Sequence, residues 1–131
     1  MKKLQVPYNL DDNVLTLYEN WSEFIYEIYF PLHPDIFPSA RQNDYPSLKE
    51  YNTSLIFLIN RMKQSNINTM CLLNGTKINY FPEIINNLFD NLKMLSAAGL
   101  TGVVVADPIL AEWININFPE LKIRLSVKAA K

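Results

Sequence analysis

The chain of 131 residues contains one cysteine, Cys71. No disulfide can close within it, and one thiolate cannot assemble a cysteine-only zinc site or an iron–sulfur cluster. So little cysteine fits a reducing compartment, and a cytoplasmic location is the expectation. Glycine is nearly as scarce: Gly75, Gly99 and Gly102 are the only three. Neither a GxGxxG dinucleotide loop nor a Walker-type phosphate loop can be drawn through them. Histidine occurs once, as His33, which excludes a multi-histidine metal centre and forces any Ser-His-Asp relay through that residue. Long apolar runs are absent too. Nothing approaches the roughly 20 residues that cross a bilayer, and Met1 to Pro7 has no signal-peptide apolar region, so the expectation is a protein away from membranes. Excess charge of one sign is also missing: 12 basic residues face 13 acidic ones, and bulk charge does not indicate a nucleic-acid partner. No cofactor and no metal site is identifiable.

What is present suits a single α/β domain over residues 1–131, with 49% hydrophobic and 19% charged residues. The organising stretch is Ala97 to Pro108, AAGLTGVVVADP. Val103 to Ala106 is a short apolar run rich in β-branched residues, which predicts a parallel strand covered on both faces. Gly99 ends the helix before it, and Asp107-Pro108 reads as an N-cap with proline at the first helical position.

Comparable units precede and follow. Leu4 to Tyr8 predicts a strand, with Pro7 confining it to an edge. Asp11 or Asp12 caps a helix whose inward face is expected to be Val14, Leu17, Tyr18 and Trp21. Phe24 to Phe30 predicts a second strand with Glu27 as its one charge. Pro31 to Pro46 holds four prolines and no periodicity, a long loop of the kind that often carries function. Ser47-Leu48-Lys49-Glu50 is a capping box, in which Glu50 reaches back to the Ser47 amide. The helix it opens presents Leu48, Tyr51, Leu55, Leu58, Ile59 and Met62 on one face. Asn68 to Leu73 predicts a third strand. Pro82 starts a helix with the stripe Ile84, Ile85, Leu88, Leu92 and Leu95. Leu110, Trp113, Ile114 and Phe118 mark the helix after Asp107, and Leu121 to Val127 a fifth strand.

Strict alternation with right-handed crossovers gives about five parallel strands and four helices. Two architectures satisfy it: an open doubly wound sheet, or a partial (β/α)8 TIM-like barrel. A complete barrel takes ~250 residues, so this chain supplies about half of one.

Specific residues favour the barrel. Phe37-Pro38-Ser39-Ala40-Arg41 resembles the F-S-x-R stretch of the peptidase U32 family, and Leu72-Leu73-Asn74 resembles the end of its third strand. Ala98 to Pro108 is similar to its A-G-x-D-A-hydrophobic-hydrophobic-V-x-D segment, and Phe118 to Ser126 to its F-P-x-L-x-I-x-x-S. The chain departs from that pattern where Phe30-Pro31 replaces a glycine and where Thr101-Gly102 lacks an aspartate. The family's E-x-F-x-x-G-[SA]-x-C signature has no counterpart before Lys131. The resemblance implies the N-terminal part of a U32-type barrel. That family contains peptidases, and other members modify RNA or quinone precursors with cysteine-bound iron–sulfur clusters. None of those cysteine ligands is carried over.

In such a barrel the reactive face lies at the C-terminal ends of the strands, which makes Asn9, His33, Arg41, Asn74, Asp107 and Ser126 the candidates. His33 and Asp107 are candidate catalytic groups, set against an ordinary loop residue and a helix cap. Arg41, Asn74 and Ser126 are candidate substrate-binding groups, Arg41 because its fork suits a carboxylate or phosphate. Glu27 either points into the barrel interior, where desolvation would favour its neutral form and general acid–base work, or faces the helices and bonds a tyrosine such as Tyr51. Cys71 reads as a small core residue. The leading expectation is a U32 peptidase-like hydrolase half-barrel, acting on a peptide or small molecule but not active alone, which self-associates or pairs with the missing half. The alternative is a small α/β binding or assembly module that oligomerises through open sheet edges.

Overall fold

The computed structural model describes residues 4–37, 45–74 and 82–126. In chain order these form β1 (Leu4–Pro7), α1 (Asp12–Asn20), β2 (Ile25–Pro31), α2 (Leu48–Gln64), β3 (Asn68–Leu73), α3 (Pro82–Ala98), β4 (Gly102–Val105), α4 (Pro108–Asn117) and β5 (Lys122–Leu125). All neighbouring strands are parallel, in the order β1-β2-β3-β4-β5. Sequential order with right-handed crossovers puts every helix on one side of the sheet. One apolar core fills that side, joining Leu15 of α1, Leu55 and Ile59 of α2, Leu88 and Leu92 of α3 and Leu110 and Ile114 of α4 to Ile28, Phe30, Cys71, Leu73, Val103 and Val105 of the strands. This is the half-barrel, not the doubly wound sheet.

The turns expected between strand and helix are formed. Asp11 caps α1, its carboxylate accepting from the Asn13 amide at 3.0 Å. Asp107 caps α4 in the same way through Ile109. Ser47 accepts from the Glu50 amide, but Glu50 reaches the Ser47 hydroxyl at 3.0 Å rather than its amide. Gly99 takes φ +109° and closes α3, with its own amide donating to Ser96 and that of Leu100 to Leu95, the paired bonds of a Schellman ending. Gly102 is needed for a different reason: a Cβ there would lie 2.3 Å from the Lys122 carbonyl oxygen of β5.

Three expectations are corrected. Phe24 belongs to a short 3-10 turn, so β2 starts at Ile25 and runs on to Pro31. On α1 the inward residues are Leu15 and Tyr18, the latter donating to the Pro7 carbonyl at 3.0 Å, while Leu17 and Trp21 are exposed. That bond to β1 sets the rotation of the helix and turns the other stripe outward. Finally, β4 is covered on one face only: Val103 and Val105 are fully buried under the helices, whereas Val104 is half-buried on the inner face.

Candidate functional site

The inner face carries the charge that the helix side excludes. Parallel register places Glu27 beside Gln5 on β1 and Asn68 on β3, and Arg124 beside Val104 on β4. In a flat sheet three strand spacings would separate β2 from β5 by ~14 Å. Here Arg124 Nη1 and Nη2 donate to Glu27 Oε2 and Oε1 at 2.6 and 2.8 Å, so the sheet is curled enough for β5 to face β2 across the interior. The Glu27 side chain is 2% exposed and that of Arg124 41%. The carboxylate beside it holds the Arg124 guanidinium above its ordinary pKa, against the opposing effect of burial. A two-pronged grip of this kind compensates the desolvation of a buried carboxylate, and removing either partner would leave the other in a poor environment. Glu27 thus points into the interior; Tyr51, the alternative partner, donates instead to the Pro31 carbonyl at 2.5 Å from the helix side.

Above the pair runs a trough of about 560 Å³. Tyr29, Leu72 and Val104 give it an apolar wall, Gln5 and Ser126 add polar groups, and Leu125 borders it at the end of β5. Ser126 follows β5 directly, its amide donating to the Val105 carbonyl at 2.8 Å. The trough therefore takes in one of the strand-end candidates.

The remaining described candidates do not line it. His33 is 6% exposed, and both ring nitrogens are committed. Nδ1 accepts from the Asp35 amide at 3.1 Å, so Nε2 carries the proton and donates to the Pro46 carbonyl at 2.9 Å. The ring packs edge-on against Tyr45 and Tyr51, with centroids 5.5 and 5.7 Å away. This histidine ties Pro46 to the start of the loop that follows β2. Asp107 spends a carboxylate oxygen on the Ile109 amide at 2.9 Å and is a helix cap. Asn74 is half-buried at the end of β3, and Asn9 is exposed after β1. Arg41 lies outside the described residues. Cys71 is fully buried on the helix side, where desolvation pushes its thiol well above the ordinary cysteine range. Among the described residues, no three His, Cys, Asp or Glu side chains come close enough to hold a metal ion. No described helix is long and apolar enough to cross a membrane.

Sequence reasoning missed Arg124. Its signal was present: a charged residue at an interior position of an alternating strand, the same irregularity that singled out Glu27.

Five parallel strands in sequential order, four helices on one side and a polar pair across the other define an α/β fold of the partial TIM-barrel type. Over 99% of its length this chain superposes on half of a solved chain, described as the U32 peptidase Mk0906, with a TM-score of 0.70 and 19% sequence identity. The fold is therefore U32-like, as the motifs around Ala98–Pro108 and Phe118–Ser126 imply. The chain spans 50% of the length of that solved chain. No family model matches the sequence, and no curated protein does.

Proposed function

We propose that this chain supplies half of the barrel of a U32-like hydrolase acting on a peptide or small-molecule substrate, and that by itself it has no peptidase turnover. One observation carries the reading: the inner face of the sheet, with Tyr29, Leu72 and Val104 only half-buried, is built as a barrel interior but has no opposite layer among the described residues. Active sites of such barrels draw side chains from several strand ends. Of the described strand-end candidates, only Ser126 lies along the trough, and His33 and Asp107 are engaged in backbone contacts.

A second observation supports the assembly reading. Apart from Tyr26 and Phe57, the exposed large apolar side chains cluster at the two ends of the half-barrel: Leu4, Leu10, Leu17, Trp21 and Phe24 around β1 and α1, and Ile109, Ile116 and Leu125 on α4 and β5. Together with the open edges of β1 and β5 these are surfaces that seek a partner. Sedimentation velocity combined with a peptide-cleavage assay tests both statements. Self-association without cleavage is the expected result. A monomer that cleaves peptide with steady turnover would show that five strands suffice, and would overturn the proposal.

A further inference from the structure

Burying Glu27 to 2% exposure beneath an arginine is costly, and an apolar pair of similar volume would serve packing as well. What the ion pair adds is a guanidinium held in one orientation. Glu27 grips the Nη1–Nη2 end of Arg124, which uses two of the five N–H donors of an arginine side chain. The edge formed by Nε–H and an outer Nη–H keeps its donors, in the fork spacing that matches a second carboxylate. Because the glutamate is sealed in and the arginine is 41% exposed, the pair turns its cationic half toward the trough. Among the described residues no other charged side chain lines that trough, and its wall is apolar through Tyr29, Leu72 and Val104. Its volume of about 560 Å³ lies within the range of small-ligand pockets.

We infer that the inner trough is a binding site for a small amphipathic monocarboxylate, its carboxylate on the free edge of Arg124 and its apolar body along Leu72 and Val104, with Glu27 as the positioning residue. The inference rests on the reading of this face as the substrate-facing interior, and adds to it the chemistry of the ligand.

Amide chemical shifts of the isotope-labelled chain, titrated with N-acetylleucine, with its neutral analogue N-acetylleucinamide and with inorganic phosphate, test it. The acid is expected to bind saturably at millimolar concentration, with shifts centred on Val104, Arg124 and Ser126. The amide and phosphate should bind at least tenfold more weakly, one lacking the charge and the other the apolar body. Arg124→Met should weaken the acid at least tenfold, and Glu27→Gln should weaken it by loosening the guanidinium. Leu72→Glu is the check should Arg124→Met fail to fold, since Leu72 is half-exposed: it should keep the native spectrum and repel the acid. Equal affinity for acid and amide, phosphate binding as tightly as the acid, no saturable binding, or binding that survives Leu72→Glu would each overturn the inference. Peptide cleavage is read separately, so failure of the half-barrel hydrolase reading is distinguishable from failure of this one.

Discussion

Adjacent residues of one strand have opposite fates in this fold. Val105 is fully buried among the helices, so Val105→Asp places an unpaired charge in the core and should cost ~3 kcal/mol or more. Val104, one position earlier, faces the trough; Val104→Asp should cost less than half as much in the same urea melts. Equal losses would mean that both faces of β4 are covered. Cys71 offers a chemical counterpart. Its burial raises the thiol pKa, and the thiolate is the reactive form, so alkylation by iodoacetamide near neutral pH should be negligible in the folded chain and rapid in urea. Prompt labelling of native protein would place Cys71 at a surface. The periodicity of a continuous apolar run could not separate Val104 from Val105, because alternation disappears when both faces are apolar and only the tertiary layer decides which one is wet.

At the scale of elements, strands and helices were legible because each boundary carries its own local chemistry: Asp11, Ser47 and Asp107 at helix starts, Gly99 at a helix end. Asp107→Ala should therefore lower stability by ~1 kcal/mol through loss of the α4 cap, with the far-ultraviolet spectrum unchanged. What local signals did not reveal was the rotation of α1, set by the distant bond from Tyr18 to Pro7, and the tie between α1 and α2. In that tie Arg61 donates to both Glu19 oxygens at 2.7 Å, and the guanidinium holds the Glu19 carboxyl below its ordinary pKa. A depressed carboxylate contributes stability that is present above the ordinary glutamate pKa and fades as pH falls through the lowered value. The acid-induced loss of stability should accordingly be shallower in Glu19→Gln than in the parent when melts are compared across the acidic range. Parallel pH profiles would show that the pair contributes nothing, the usual outcome for exposed ion pairs.

For the whole molecule, the alternation of elements together with the U32-like motifs pointed to a half-barrel, and the strand order and curl agree. The candidate site was less legible. His33 and Asp107 stand out by residue type and place at a strand end, and both also bond the backbone around them. Glu27 was recognised as a possible interior group without its partner, because no spacing rule connects residues 97 apart in sequence; only the curling of the sheet brings Arg124 to it. That cross-interior contact is the feature a flat five-stranded sheet cannot make, and a double-mutant cycle over Glu27→Gln and Arg124→Met measures it directly by urea denaturation. The half-barrel predicts a coupling energy of about 1 kcal/mol or more between the two positions, whereas additivity within ~0.3–0.5 kcal/mol would mean that β2 and β5 do not meet and would contradict it.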